Sequence, residues 1–332
     1  MELTDFDYEL PKELIAQKAI VPKDHSRLMV LRANRIEHRH FYDILDYLKK
    51  DDVLVINETK VSRARISGRK TTGSPVELIL TKKTAPKIYE CRIKGNRIKL
   101  GNNYIFEDGL NCEVIARNDD IFTVEFNKPL NKRMIEELFE LPTPPYIKKK
   151  LESDSEYQTV YSRKEGSLAA PTAGLHFTPE LLDKIRQKGV KIVKLLLHVD
   201  FGTFLEIKSK IEDHKMHEEY FEVSKAAAGT INNRKSRLVV VGTTSVRTLE
   251  SAADENGKII PQKSQTAIFI YPGYKFRNKI DALITNFHLP KSTLLLLVSA
   301  YYGKDRILNA YEEAKRQKYR FYSLGDAMLL IK

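Results

Sequence analysis

The chain has 332 residues, 42% of them hydrophobic and 30% charged, a balance that excludes a disordered or fibrous protein. It carries 56 Lys and Arg against 44 Asp and Glu, and the net charge of +12 favours a polyanionic partner, either nucleic acid or an anionic membrane surface. A protein that is only kept soluble by its charge would have the same composition.

The chain lacks the usual signals for export or membrane insertion. Its first residues have neither the cationic start nor the apolar stretch of a signal peptide. Its longest apolar run, residues 294–302, is far shorter than the ~20 residues of a membrane span. The two cysteines form no CxxC pair, which argues against a disulfide scaffold or a cysteine zinc site. We therefore expect a cytoplasmic protein.

Two patterns of predicted elements follow each other in the first half of the chain. Residues 1–60 predict a short helix after Pro11 and strands at 27–31 and 53–56. Residues 61–150 then predict short strands between polar turns, at 76–81, 88–93, 97–100, 112–116 and 122–126, followed by a helix at 132–139. Repeated short strands of this kind are typical of an antiparallel barrel or sandwich.

The predicted β-rich segment is also basic. Residues 61–150 contain 18 Lys and Arg against 11 Asp and Glu, so they hold +7 of the total charge. A basic β module is a natural platform for nucleic acid. The solvated surface of any barrel would, however, have a similar composition.

Strands and helices alternate from residue 157 onwards. The predicted strands lie at 190–197, 238–241, 266–270 and 282–285, and helices begin near 178, 243, 292 and 305. This alternation is typical of an α/β domain. We therefore predict a larger α/β domain, residues 1–60 and 151–332, interrupted by an inserted antiparallel β-barrel domain, residues 61–150.

Polar residues follow three of the apolar strands directly. The first strand is followed by His198 and Asp200, the second by Thr243, Thr244, Ser245 and Arg247, and the third by Asn286 and His288. Ligands bind at the carboxyl ends of strands in open α/β sheets. If these strands are parallel, the polar groups converge on one crevice. The alternative is that each set only stabilises its own loop or helix end.

Two loops have features of a ligand site. The turn at Gly242 enters a helix and exposes unpaired N–H groups that suit an anion, to which Arg247 can add a bidentate contact. An Arg247–Glu250 surface pair is the structural alternative. The small-residue segment 170–177 places Thr172, Gly174 and His176 where a backbone can approach a ligand closely. A buried, hydrogen-bonded His176 is equally compatible with the sequence.

Common cofactor motifs are absent from the sequence. There is no GxxxxGK[ST], GxGxxG or GxSxG, and the spacing of His214 and His217 does not match HExxH. We therefore predict no metal site.

Seven segments, in order over nearly the whole chain, resemble one family closely. They are FDYELPKELIAQ from Phe6, INETKVSRAR from Ile56, YQTVYS from Tyr157, APTAGLHF from Ala170, GTTSVRTLESAA from Gly242, ITNFHLPKSTLLLLVSAYYG from Ile284 and YRFYSLGDAMLL from Tyr319. In these segments the chain is similar to the S-adenosylmethionine:tRNA ribosyltransferase-isomerases of queuosine biosynthesis. The α/β domain with an inserted β-barrel is also the fold of that family.

The resemblance implies a reaction and its partners. The ribosyl part of S-adenosylmethionine would be transferred and isomerised onto 7-aminomethyl-7-deazaguanine at the tRNA wobble position, giving epoxyqueuosine, adenine and methionine. S-adenosylmethionine is then a co-substrate, no further cofactor or metal is expected, and the barrel would hold the anticodon arm. The resemblance leaves membrane binding without support. We expect a monomer.

The resemblance and the strand-end pattern together give our site hypothesis. We expect proton transfer by His176, His198 and His288. We expect substrate binding by Thr172, Gly174, Gly242, Thr243, Thr244, Ser245, Arg247, Glu250 and Asn286. Asp200, Glu206 and Glu156 depart from the family pattern. The rival hypotheses are a non-catalytic RNA-binding protein and a phosphate-handling transferase that uses the Gly242 turn.

Overall fold

The structure is a computed structural model that describes residues 1–33, 35–204 and 206–332. It contains two compact units, one formed by Met1–Lys60 and Thr143–Lys332 and the other by Val61–Pro142. The strands are β1 (Arg27–Arg32), β2 (Arg35–His40), β3 (Val53–Asn57), β4 (Thr59–Val61), β5 (Arg65–Lys70), β6 (Pro75–Lys83), β7 (Ile88–Lys94), β8 (Asn103–Ile105), β9 (Asn111–Asn118), β10 (Ile121–Phe126), β11 (Lys164–Ser167), β12 (Lys191–Leu197), β13 (Glu219–Val223), β14 (Leu238–Val241), β15 (Gln262–Thr266), β16 (Ala282–Asn286) and β17 (Ala327–Ile331). The α-helices are α1 (Ile44–Tyr47), α2 (Lys132–Leu138), α3 (Pro179–Gln187), α4 (Lys225–Asn232), α5 (Thr243–Ala252), α6 (Thr293–Tyr302) and α7 (Lys304–Arg316).

The first unit is built on one large sheet with the strand order β15-β13-β12-β3-β14-β16-β17-β1-β2. Its centre is parallel, because β12 pairs in parallel with β3, β3 with β14, and β14 with β16. The condition for a common crevice is therefore met: the three strands that precede the predicted polar sets end at the same edge of the sheet.

The central strands are buried on both faces. Along β3, Val53 and Val55 belong to one hydrophobic cluster and Leu54 and Ile56 to another. Successive side chains of a strand point to opposite faces, so these clusters are the two layers between the sheet and its helices. Continuous apolar strands of this kind are typical of a covered parallel sheet.

Edge strands escape prediction from apolar periodicity. The sequence predicts a strand at 266–270, whereas the strand observed is β15, with the polar sequence QKSQT. It lies at the edge of the sheet and most of its side chains are exposed.

The predicted helix after Pro11 is only a single 3₁₀ turn, Lys12–Leu14.

The second unit is a closed antiparallel barrel with the strand order β10-β7-β6-β5-β8-β9. Inward side chains such as Leu78, Cys91, Tyr104 and Val124 fill it. The predicted fold class, an α/β domain interrupted by an inserted antiparallel β-barrel, is confirmed. The strand predicted at 97–100 is wrong, since residues 95–101 form bends and turns and the strand there is β8.

The charge of the barrel is smaller than the sequence pattern indicated. Val61–Pro142 contains 15 Lys and Arg against 11 Asp and Glu, a net charge of +4. The +7 counted for residues 61–150 includes Lys148, Lys149 and Lys150, which belong to the first unit.

Within the described residues, no helix combines the length and apolar character needed to cross a bilayer.

Candidate active site

The carboxyl ends of β12, β14 and β16 lie around a cavity of about 30 Å³. Six of the predicted site residues line it: Thr172, Gly242, Thr243, Thr244, Asn286 and His288. Val199, which follows β12, lines it as well. Residues far apart in the chain are thus brought together as the strand-end rule for α/β sheets expects.

The wall formed by helix α5 presents hydrogen-bond donors. Gly242 has φ 82° and ψ 150°, a conformation that is essentially restricted to glycine. This turn directs the chain from β14 into α5. The first N–H groups of a helix have no acceptor within the helix. Because Thr243 and Thr244 line the cavity, it lies beside the positive end of the α5 dipole.

Asn57, at the end of β3, holds this wall in place and is absent from the predicted site. Its Nδ2 donates to Thr244 Oγ1 at 3.2 Å and to the Leu197 carbonyl at 3.0 Å. Its Oδ1 accepts from the N–H of Leu197 at 3.1 Å. Asn57 therefore ties β3 and β12 to the first turn of α5. It follows an apolar strand just as the predicted residues do, so the same rule could have found it.

The structural alternative of an Arg247–Glu250 surface pair is wrong. Arg247 pairs with Glu219 of β13, and Glu250 accepts from the N–H groups of Arg277 at 2.8 Å and Asn278 at 3.1 Å. Both side chains are fully buried, because α5 is enclosed by the sheet and by the segment after β15. Neither lines the cavity.

Two further residues of the predicted site, Ser245 and Gly174, have contacts within the protein that account for their residue type. Ser245 donates its hydroxyl to the Val241 carbonyl at 2.7 Å. Gly174 lies against Tyr161, and a Cβ built on it would fall 2.0 Å from the Tyr161 hydroxyl oxygen. Close packing between the two segments thus requires glycine at position 174.

The three predicted histidines do not share one site. His288 lines the cavity, and its Nε2 lies 2.8 Å from Thr285 Oγ1. His176 lies behind Asn286, stacked on Phe41 at 5.0 Å between ring centroids. His198 packs on Tyr220 at 5.7 Å, with its Nδ1 2.8 Å from a threonine hydroxyl.

The protonation of these rings follows from their surroundings. Burial lowers the pKa of His288 to about 3. Burial, together with the charges of Lys23 and Arg320, lowers the pKa of His176 to about 3. Desolvation lowers the pKa of the half-buried His198 as well. All three rings are therefore neutral at pH 7.

Asn286 is a buried polar side chain of the cavity wall with three groups around its Nδ2. It is 2% exposed. Its Nδ2 lies 3.1 Å from His176 Nε2, 3.3 Å from the Tyr322 carbonyl and 3.4 Å from the Asp326 carbonyl. Among the described residues, its Oδ1 has no hydrogen-bond partner.

Two of the three departures from the family pattern have local structural roles. Asp200 Oδ1 accepts from the Gly202 N–H at 2.7 Å. Glu156 Oε1 accepts from the Ser153 N–H at 3.0 Å and completes a capping box. Glu206 is exposed. None of the three lines the cavity, and the described residues contain no group of three or more His, Cys, Asp or Glu placed to hold a metal ion.

A cavity of mixed donors and acceptors at the end of a parallel sheet defines a ligand-binding α/β protein with an inserted barrel. The chain matches the family described as queuosine biosynthesis protein over residues 3–330. It is 51% identical, over the full length of both chains, to the S-adenosylmethionine:tRNA ribosyltransferase-isomerase of Symbiobacterium thermophilum. It is 49% identical to that of Clostridium kluyveri, over 99% of this chain and 100% of the relative.

A solved structure agrees with these relatives. It is the crystal structure of S-adenosylmethionine tRNA ribosyltransferase from Thermotoga maritima, which has a TM-score of 0.56 and 37% identity and covers 98% of this chain and 100% of its own. The chain belongs to the S-adenosylmethionine:tRNA ribosyltransferase-isomerase family of queuosine biosynthesis proteins. The resemblance stated from the sequence is confirmed.

Proposed function

We propose that this enzyme transfers and isomerises the ribosyl moiety of S-adenosylmethionine onto 7-aminomethyl-7-deazaguanine at the wobble position of tRNA in the cytoplasm. The products are epoxyqueuosine, adenine and methionine. The observation that carries the proposal is the convergence of three strand ends on one cavity in a chain that matches the family from residue 3 to residue 330. A non-catalytic RNA-binding protein would have no use for that convergence.

The cavity suits part of S-adenosylmethionine rather than the whole molecule. Its N–H donors on α5 can bind a carboxylate or a ring nitrogen, and Asn286 Oδ1 can accept from an amino group. Its volume of about 30 Å³ leaves room for a small polar group, while the rest of the ligand extends outwards. The cavity therefore orients one end of the co-substrate, which lowers the entropic cost of the transfer.

Proton transfer falls most naturally to His288. Its ring lines the cavity, and burial, which lowers its pKa, keeps the ring neutral at pH 7 with one ring nitrogen unprotonated. The reaction needs such a base, because a carbon beside the sulfonium must be deprotonated. His198, which follows β12 on the same edge of the sheet, is a second candidate. The helix donors and Thr172 bind rather than react.

The barrel supplies a surface for tRNA phosphates. One end of it carries an open cleft of about 740 Å³, lined by Lys70, Arg97 and Lys99 together with Asn96, Asn102 and Asn103. Lys70 Nζ donates to the Arg97 carbonyl at 2.9 Å and so holds the cleft together. Arg97 and Lys99 are exposed and available for phosphate oxygens. We propose that this cleft contacts the backbone of the anticodon arm.

Release of adenine tests the proposed reaction. The purified protein is incubated with S-adenosylmethionine and with tRNA that carries 7-aminomethyl-7-deazaguanine, and free adenine is measured by chromatography. We expect adenine only when both substrates are present. A matched tRNA with unmodified guanine at the wobble position is the control. Binding of the modified tRNA without any release of adenine would favour the non-catalytic RNA-binding alternative.

A further inference from the structure

The amide of Asn286 can adopt only one orientation. Two of the three groups around its Nδ2 are the backbone carbonyls of Tyr322 and Asp326, which can only accept hydrogen bonds. A flipped amide would place its oxygen against both carbonyl oxygens. The NH₂ group therefore faces the protein interior, and Oδ1 is the atom left for the cavity.

The same geometry fixes the proton of His176. Its Nε2 lies 3.1 Å from the NH₂ group of Asn286, which is a donor only, so Nε2 must be an unprotonated acceptor. The neutral ring then carries its proton on Nδ1 and donates to Ser26 Oγ at 2.7 Å. Both ring nitrogens are thus engaged within the protein, and neither is free to exchange a proton with a ligand.

The loop after α7 completes this support. Tyr322 has φ 72°, in the left-handed region that a tyrosine rarely adopts. A Cβ on Gly325 would fall 2.4 Å from the Arg320 carbonyl. Asp326 holds the loop by accepting from the Arg320 N–H at 2.8 Å. A strained, tightly closed loop therefore supplies the carbonyl groups that orient Asn286.

The lining of the cavity combines a hydrogen-bond acceptor with hydrogen-bond donors. Asn286 Oδ1 is a buried acceptor without a partner among the described residues, and such an atom is costly unless a ligand satisfies it. Thr243 and Thr244, at the donor-rich start of α5, line the same cavity. No Asp or Glu is among the described residues that line it. An acceptor and several donors therefore face one small space without a formal charge.

We propose that Asn286 Oδ1 accepts a hydrogen bond from an N–H group of the co-substrate, and that His176 is the positioning residue that holds this oxygen in place. The group recognised carries an N–H donor beside an anionic or lone-pair acceptor, and the start of α5 binds that acceptor. This inference rests on the proposed function, in which S-adenosylmethionine has two such groups: its amino-acid head and its adenine edge. It gives His176 a role other than the proton transfer expected from the sequence.

Binding measurements by calorimetry test the role of Asn286. We expect Asn286→Ala to weaken S-adenosylmethionine binding about tenfold or more, the effect of losing one buried hydrogen bond. The matched control is Asn278→Ala, which removes a buried amide that binds Leu249 and Glu250 away from the cavity and should leave the affinity unchanged.

Two simpler probes identify the group that is recognised. Loss of L-methionine binding by Asn286→Ala, with adenine binding retained, assigns the cavity to the amino-acid head, and the reverse assigns it to the adenine edge. Equal affinity of wild type and Asn286→Ala for S-adenosylmethionine overturns the inference alone. Failure of the wild-type protein to bind S-adenosylmethionine overturns the proposed function as well.

Two substitutions of His176 separate positioning from proton transfer. His176→Gln keeps an acceptor near the position of Nε2, whereas His176→Phe keeps the ring on Phe41 and removes the acceptor. We expect His176→Gln to retain affinity and turnover within about threefold, and His176→Phe to lose affinity about tenfold while its cooperative thermal unfolding shows that it is still folded. If His176→Gln binds S-adenosylmethionine normally but has no turnover, or if both variants lose equal affinity, the positioning role is wrong.

Discussion

Arg247 of α5 and Glu219 of β13 form an ion pair in which each side chain is no more than 3% exposed. Glu219 Oε1 also accepts from the N–H of Asp200 at 2.9 Å. The pair therefore fixes the turn after β12 relative to the helix that lines the cavity. A buried ion pair is strongly destabilised when only one partner is removed, because the other charge stays in a medium of low polarity.

Removal of one charge of this pair should therefore be costly. We expect Arg247→Met to lower the free energy of unfolding by about 3–5 kcal/mol. The double variant Arg247→Met/Glu219→Gln should lose less than Arg247→Met alone, since it leaves no buried charge and retains an acceptor for Asp200. Urea denaturation measures both. A double variant at least as unstable as Arg247→Met would show that the charge has no such role.

Gly174 should tolerate no side chain. Because a Cβ there would fall 2.0 Å from the Tyr161 hydroxyl oxygen, we expect Gly174→Ala to cost about 1–3 kcal/mol of stability, as overpacking does. That hydroxyl has no partner among the described residues, so Tyr161→Phe should be nearly neutral by itself. It should also restore part of the stability of Gly174→Ala. Thermal unfolding of the three variants measures this, and no recovery in the double variant would contradict it.

The two cysteines should be unreactive in the folded barrel. Burial raises the pKa of Cys112 to about 12, and burial together with the nearby Cys112 raises that of Cys91 further. At pH 8 a thiol reagent should label neither residue until urea unfolds the barrel, because only the thiolate reacts. Labelling of native protein as fast as of unfolded protein would contradict their burial.

The same thiols make stability depend on alkaline pH. Their pKa is higher in the folded state than the ~8.5 of an exposed thiol. The unfolded chain therefore loses these protons first as the pH rises. Their contribution is complete below about pH 8.5 and falls above it. We expect Cys91→Ala/Cys112→Ala to show a smaller loss of stability between pH 8 and 10 than wild type.

The barrel cleft should contribute to the salt dependence of tRNA binding. Arg97→Ala/Lys99→Ala removes two exposed charges from the cleft, and Lys83→Ala/Lys87→Ala removes two from the opposite end of the β6–β7 hairpin. We expect the first variant to reduce the slope of log K against log salt by about 1–2, because fewer counterions are released. The second should leave the slope unchanged. Equal slopes for wild type and both variants would place the tRNA contact elsewhere.

The sequence was informative where burial imposes a pattern. The uninterrupted apolar runs of β3, β14 and β16 belong to strands covered on both faces, and the polar residues after them lie where parallel strands end. Thr178, whose hydroxyl accepts from Leu181 N–H at 3.2 Å, begins α3 as its capping pattern indicates. The helix cap depends only on residues adjacent in the chain, and the position of the polar residues follows from the general rule for the ends of parallel strands.

Features that depend on distant partners could not be predicted. His176 and Asn286 are 110 residues apart, and Arg247 and Glu219 are 28 apart, so no local pattern shows that they meet. Edge strands such as β15 have few buried positions and so carry no apolar alternation. The histidines illustrate the limit: residue type indicates capacity for proton transfer, but only the hydrogen-bond partners show which ring is free.

Transfer of the ribosyl carbons is the central claim, and an isotope follows it directly. S-adenosylmethionine labelled with ¹³C in all five ribosyl carbons is incubated with the protein and with tRNA that carries 7-aminomethyl-7-deazaguanine. The tRNA is then digested and its nucleosides are analysed by mass spectrometry. We expect the wobble nucleoside to appear as epoxyqueuosine with all five labelled carbons. Adenine release without label in any tRNA nucleoside would show that the cavity cleaves S-adenosylmethionine but does not transfer its ribosyl group, and would contradict the account.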